Sequence, residues 1–167
     1  MVYSAEYDSP LGTILLTSDG ESLTGLRFKT DNIRPAGAEN PVGGDGVFCG
    51  AVAWLDGYFG GEVPQKRPPV VAKGTAFQKL IWDLLLEIPY GEIRTYGELA
   101  ARAAAILGRD TMSAQAVGQA VGANPVAIII PCHRCVGAGG KLTGYAYGVE
   151  RKQWLLRHEQ KQMEEIL

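Results

Sequence analysis

Asn124-Pro125-Val126-Ala127-Ile128-Ile129-Ile130-Pro131-Cys132-His133-Arg134 is the stretch on which the fold turns. Two prolines fence a short apolar run, and the run leads straight into a thiol, an imidazole and a guanidinium. Such a run predicts a buried strand over Val126–Ile130. Reactive groups at the end of a buried strand predict the floor of a site. Cysteine is the best soft nucleophile among the side chains, and its thiolate is the reactive form. Neighbours on an extended strand point to opposite faces. Cys132 and His133 can therefore cooperate only through a turn, which Pro131 favours, or through a bridging water. A buried structural thiol is the other reading of Cys132 taken alone.

The sequence on either side is helical. Gly148–Ile166 predicts the last helix, with Lys152, Leu155, Leu156 and Glu159 on one side and Trp154 close by. Glu159 is a carboxylate on an otherwise largely apolar face, and such a group needs a partner. His133 is a candidate, which would give a Cys-His-Glu order that orients and charges the imidazole. A surface acid paired with a nearby cation is the alternative. Upstream, Thr75 with Gln78 and Thr95 with Glu98 read as capping boxes. The first opens a helix carrying Phe77, Leu80, Ile81, Leu84, Leu85 and Ile88, and the second a helix to about Leu107. Ser113 caps a further helix from Ala114 to about Val121, so a helix-turn-helix is expected. In it Val117, Ala120 and Val121 point inward, and Ala114, Gln115, Gly118 and Gln119 outward. Small residues with glutamines suit a groove of DNA, but an ordinary helix pair with a small-residue seam has the same pattern.

The first third reads as β. Tyr3–Tyr7, Thr13–Thr17 and Leu23–Phe28 are strand-like, punctuated by Ser9-Pro10-Leu11-Gly12 and Asp19-Gly20-Glu21-Ser22. Thr30–Gly46 reads as loop. Asp45 can cap a helix whose Phe48, Ala51, Val52, Leu55 and Phe59 share a face. The expected organisation is an N-terminal α/β domain over 1–60, a proline-rich linker over 61–74 and a C-terminal domain over 75–167.

Composition limits the partners. The net charge of −2 does not advertise a nucleic-acid binder. Residues 1–74 hold six Lys/Arg against nine Asp/Glu, whereas 75–167 hold ten against nine, so any phosphate affinity lies in the second half. Cys49, Cys132 and Cys135 are an odd set without an export signal, which argues against a disulfide framework. Cys132-x-x-Cys135 brings redox and zinc chemistry into view, but zinc normally takes four ligands and only His133 and His158 join the cysteines. No apolar run spans a bilayer and the N-terminus lacks signal-peptide features, so a soluble, cytoplasmic protein is expected.

The second part resembles the O6-alkylguanine-DNA alkyltransferases, also called methylated-DNA–protein-cysteine methyltransferases. The resemblance runs from about Gly74 to Glu159. Its core is Asn124-Pro125 with Ile128-Ile129-Ile130-Pro131-Cys132-His133-Arg134. Ile88-Pro89-Tyr90-Gly91-Glu92, Thr95-Tyr96-Gly97-Glu98-Leu99-Ala100, Thr143-Gly144-Tyr145 and Trp154-Leu155-Leu156-Arg157-His158-Glu159 extend it. Ser9-Pro10-Leu11-Gly12 carries a weaker likeness in the first part. The resemblance implies an α+β fold: a small ribonuclease-H-like β-sheet-plus-helix domain, then an α-rich, winged-helix-like domain with a helix-turn-helix. It implies single-turnover transfer of an alkyl group from O6-alkylguanine in duplex DNA to Cys132, without cofactor or metal. His133 takes the thiol proton through a water, Glu159 holds His133, and Asn124 fixes the site. Tyr96 supports the flipped base and protonates its ring. Tyr145, the backbone after Val136, and Tyr147 line the pocket, and Arg134 anchors the motif. Thr95, Tyr96, Ser113, Ala114, Gln115 and Ala116 meet the minor groove, with the protein acting as a monomer away from membranes.

Three positions depart from the family pattern. Gln115 stands where an arginine is common on the recognition helix, which implies weaker and less salt-sensitive DNA binding. Cys135 replaces an apolar residue, as a small buried side chain or as a disulfide partner for Cys132. Tyr147 replaces a glycine and narrows the pocket against large adducts. Other readings are a non-catalytic alkyltransferase-like lesion binder, a Cys-His-Glu hydrolase and a thiol redox protein.

Overall fold

In the computed structural model of the protein, residues 2–29, 38–39 and 46–166 are described. The expected loop and the Asp45 cap lie mostly outside them. Two compact units emerge: Met1–Lys73 with Pro125–Ile129, and Gly74–Asn124 with Ile130–Leu167.

In the first unit β1 (Val2–Ser9), β2 (Gly12–Ser18), β3 (Leu23–Phe28) and β4 (Ala38–Glu39) form a sheet of order β3-β2-β1-β4. The β1–β2 hairpin closes over Pro10-Leu11 because Ser9 Oγ accepts from the Leu11 N–H (3.1 Å) and donates to the Gly12 carbonyl (2.6 Å). Gly12 has φ 116°, a conformation that suits glycine. Asp19 ties the next turn by accepting from the Glu21 and Ser22 N–H groups at 2.9 and 2.8 Å. Helix α1 (Gly46–Phe59) buries Val47, Phe48, Ala51, Leu55 and Tyr58. Tyr58, not the expected Phe59, is the fully buried aromatic; Tyr58 falls three residues after Leu55 and so shares its face. The proline-rich stretch before α2 carries one β-bridge. Leu23 donates to the Pro69 carbonyl (2.8 Å) and Val71 to the Leu23 carbonyl (2.9 Å).

The second unit holds α2 (Ala76–Leu86), α3 (Tyr96–Leu107), α4 (Ala114–Gly122) and α5 (Val149–Ile166). Thr75 and Gln78 make the reciprocal capping box at α2. Thr95 Oγ1 accepts from the Glu98 N–H at 3.0 Å, the forward half of the box expected at α3. Gly108, left-handed at φ 66°, ends α3. Ser113 Oγ accepts from the Ala116 N–H at 3.2 Å and starts α4. Val117, Ala120 and Val121 are buried, and the Trp82 indole donates to the Ala120 carbonyl at 2.8 Å, locking α2 to α4. Two-residue strands β5 (Arg94–Thr95) and β6 (Cys135–Val136) pair in parallel. The whole is α+β, with a helix-turn-helix in the second unit.

The expected strand over Val126–Ile130 is not one. Val126 makes a single bridge to Leu26, and the Ala127 N–H donates to the Leu26 carbonyl at 2.9 Å. The chain then turns: Ile129 N–H donates to the Ala127 carbonyl at 2.8 Å, closing a three-residue turn around Ile128. Ile128 has φ 69°, rare for a β-branched residue, at a cost of about 1–3 kcal/mol. Pro125 and Pro131 offer no N–H, so the ladder cannot extend, and apolarity alone does not separate a strand from a buried turn.

Candidate active site

Cys132, His133 and Arg134 occupy one turn of 3-10 helix in the second unit. Pro131 (φ −82°, ψ 66°) bends the chain so that the Cys132 N–H donates to the Ile130 carbonyl at 2.8 Å. The Arg134 N–H then reaches the Pro131 carbonyl at 3.0 Å. Successive side chains on such a helix diverge by about 120°. That geometry sends Cys132 one way and its two neighbours another.

His133 and Arg134 both turn to Glu159 on α5. Glu159 Oε2 lies 2.5 Å from His133 Nε2, and Oε1 accepts from Arg134 Nε at 2.7 Å. The Gly91 N–H adds a 3.3 Å bond to Oε1. His133 is 0% and Glu159 1% exposed, so this pair is fully desolvated. Burial by itself would raise the carboxyl pKa; the charges and hydrogen bonds of His133 and Arg134 overcome it and hold Glu159 well below the usual carboxylate range. Arg134 is anchored further, with Nη1 donating to the Ile88 carbonyl at 2.8 Å and its guanidinium 5.5 Å from the Tyr90 ring centre. His133 Nδ1 is buried and has no hydrogen-bond partner among the described residues.

Cys132 faces a cavity of about 190 Å³. Tyr96 and Gly118 line it from the helix-turn-helix, Asn124 from beyond α4, and Tyr145 and Tyr147 from the loop before α5. Asn124 Nδ2 donates to the Ile130 carbonyl at 2.8 Å, which pins the turn leading to the thiol. The Tyr145 ring meets the Tyr147 ring edge-on at 5.6 Å and 73°. Tyr96 donates its hydroxyl to the Thr143 carbonyl at 3.3 Å, and burial pushes its pKa up to about 12. Burial also raises the Cys132 thiol pKa, against hydrogen bonds from Asn124 and Tyr145 and the charge of Lys152. The Tyr145 hydroxyl is buried and makes no hydrogen bond of good geometry among the described residues.

Residues 2–66 match the family described as "6-O-methylguanine DNA methyltransferase, ribonuclease-like domain", and residues 76–161 the one described as "6-O-methylguanine DNA methyltransferase, DNA binding domain". The chain belongs to the O6-methylguanine-DNA methyltransferase family. The methylated-DNA–protein-cysteine methyltransferase of Mycobacterium bovis is 43% identical over 95% of this chain and 93% of its own length. That of Methanosarcina acetivorans is also 43% identical, over 95% and 98%. The structure of the Mycobacterium tuberculosis family member in complex with DNA superposes with a TM-score of 0.84, at 42% identity, covering 96% of this chain and 94% of that one.

Against the positions expected of this family, the second unit brings Cys132, Asn124, Tyr96, Tyr145 and Tyr147 to one cavity. His133, Arg134 and Glu159 stand behind it as one cluster. Arg134 and Val136 are not on the cavity wall: Arg134 is drawn to Glu159, and Val136 is buried in β6. Thr95 caps α3 at the bridge to Val136. Ser113, Ala114 and Gln115 are exposed at the start of α4, and Ala116 is half-buried. Sequence reasoning missed Lys152. It is 0% exposed, its ammonium donates to the Gly144 and Thr143 carbonyls at 3.2 and 3.5 Å, and it sits 5.8 Å from the Tyr96 ring centre. Its place on the apolar side of the last helix was the available signal, since a lysine there must either reach water or serve a buried partner.

Proposed function

We propose that this protein repairs DNA by moving a methyl or other small alkyl group from O6 of guanine onto Cys132, and is spent in doing so. The observation that carries the reading is the thiol on the cavity floor with an imidazole beside it already fixed by a buried carboxylate. A base inside a duplex cannot reach that floor, so the lesion must be flipped out at a cost of a few kcal/mol. The sulfur then attacks the alkyl carbon: an S–C bond forms and the C–O bond to guanine breaks. The thiol proton passes to His133 Nδ1 through a water, and the imidazolium is stabilised by Glu159 across 2.5 Å. Tyr96, a phenol protonated at neutral pH on the cavity wall, is placed to donate to the departing base. Asn124 and Tyr145 hydrogen bonds favour the thiolate. The product is a thioether, which water does not reverse.

The DNA-binding match over 76–161 supports assigning duplex contact to the C-terminal domain, 75–167, with 1–60 as the N-terminal domain and 61–74 as linker. On this reading α4 enters the minor groove. Ala114 and Ala116 allow close approach, Gln115 fills the space of the flipped base, and Thr95, Tyr96 and Ser113 complete the contact. The protein acts as a monomer. A thiol that must stay reduced fits the cytoplasm.

The test is to mix the protein with a duplex holding one O6-methylguanine and weigh the peptide containing Cys132. One added methyl per molecule, with activity exhausted at equimolar lesion, is expected. Cys132→Ser should bind the duplex and transfer nothing. Tight binding without methylation of the wild type would instead identify a non-catalytic lesion binder.

A further inference from the structure

Cys135 is a buried nucleophile near the cavity that the repair chemistry does not use. It is 0% exposed, and its thiol is free. Its backbone N–H donates to the Cys132 carbonyl, closing the 3-10 turn that carries Cys132. Residues related in this way have Cα atoms within about 7 Å, and a disulfide spans Cα separations of about 4.4–6.8 Å. Both sulfurs also lie in the field of the Lys152 ammonium, and both act on the Tyr96 hydroxyl. The two differ in access, because Cys132 borders the cavity and Cys135 does not. A small oxidant can therefore reach the first thiol and not the second.

We propose that Cys132 and Cys135 form a peroxide-responsive pair, in which Cys132 is oxidised first and Cys135 resolves it to an intrachain disulfide. The proposal rests on Cys132 being the alkyl acceptor only for its consequence, a protein that is reversibly switched off. In the first step the Cys132 thiolate attacks hydrogen peroxide. An S–O bond forms, the O–O bond breaks, hydroxide leaves, and the sulfur is oxidised to a sulfenic acid while the peroxide is reduced. In the second, the Cys135 sulfur attacks the Cys132 sulfur. The S–S bond forms, the S–O bond breaks, and hydroxide departs with the Cys135 proton as water. The Lys152 ammonium stabilises the attacking thiolate in both steps. Without Cys135 the sulfenic acid would be exposed to further, irreversible oxidation. The disulfide protects the acceptor sulfur until a dithiol reduces it.

The experiment treats the full chain, carrying Cys49→Ser to remove the exposed thiol, with hydrogen peroxide. The protein is then alkylated, unfolded and digested with trypsin. Cleavage after Arg134 separates the two cysteines, so only a disulfide can hold their peptides together. A linked pair is expected, with alkyl transfer lost in proportion to its yield and restored in full by dithiothreitol. Cys135→Val, a near-isosteric apolar change, should transfer alkyl groups normally before oxidation and lose that capacity irreversibly after it. Two free thiols with undiminished transfer would overturn the proposal, as would loss of transfer through Cys132 sulfinate without a linked pair. Failure of the reduced wild type to take up any methyl would instead sink the repair reading, and the peptide linkage would still decide the redox pair.

Discussion

Replacing Glu159 by glutamine keeps the shape of the side chain and removes its charge. Glu159 accepts from His133, Arg134 and the Gly91 N–H inside a buried cluster. Glutamine still offers one acceptor oxygen, but Arg134, itself buried, is left without its counter-charge. Breaking a buried pair from one side costs about 3–5 kcal/mol, and the retained amide bond argues for the low end, about 3 kcal/mol. For a chain of this size that lowers the Tm by about 6–12 °C. The loss depends on pH. The folded pKa of Glu159 lies below its unfolded value of about 4.3. The contribution of its charge is therefore complete above that pH and fades as pH falls toward the folded pKa. Urea denaturation of both proteins from pH 7 to pH 3 should show a constant gap down to about pH 5 and a narrowing gap below about pH 4. The rate of transfer to Cys132 at saturating duplex should fall by about a hundredfold or more, because the imidazolium loses its partner. Equal Tm values, or a gap that does not change with pH, would refute the argument that the charge of Glu159 holds this cluster together.

Three further outcomes follow from the geometry. Gln115→Arg should tighten duplex binding and steepen its dependence on salt by about one released counterion, measured by titration at several salt concentrations; no gain would remove α4 from the contact surface. Tyr147→Gly should raise the ratio of benzyl to methyl transfer rates by about tenfold, equivalent to relieving about 1.4 kcal/mol of crowding, and an unchanged ratio would show that this ring does not set adduct size. Lys152→Met should move the rising limb of the pH–rate profile up by about one pH unit, because a cation that favours the thiolate is gone, whereas a purely structural lysine would change stability and leave the profile in place.

Legibility in the sequence followed the range of the interactions. Thr75, Thr95 and Ser113 announced their helices because a cap acts across three residues and needs no tertiary partner. Glu159 was legible because a carboxylate on an apolar helix face poses a physical question with few answers. Ile128–Ile130 was not, since apolarity reports burial and not backbone conformation, and a left-handed isoleucine runs against every local preference. The bridge at Val70 was hidden in a proline-rich stretch whose composition suggested a linker. Lys152 was passed over because a lysine at core spacing is usually read as reaching for solvent, and here it satisfies two carbonyls of the loop that carries Tyr145.

That loop and the turn at Pro131 resolve an apparent conflict. A nucleophile should be ionised, yet burial raises the Cys132 pKa, and its hydrogen bonds and the Lys152 charge only partly offset the shift. The conflict holds only if the reaction is to be fast for every molecule that collides with the thiol. A protein that acts once gains more from staying protonated until the right carbon is held in line, because an exposed thiolate is also alkylated and oxidised in solution. The parts that favour ionisation are therefore placed to work at close range. Asn124 and Tyr145 line the cavity with the sulfur and favour its ionised form, and on the proposed mechanism His133, fixed by Glu159, keeps Nδ1 for the proton. A flipped base that fills the cavity would exclude water and strengthen each of these interactions when the carbon to be attacked is in place. Selectivity and reactivity then share one physical origin, the dryness of the cavity, and the turn between Ile130 and Arg134 is the piece of backbone that sets a sulfur at its floor and an imidazole behind it.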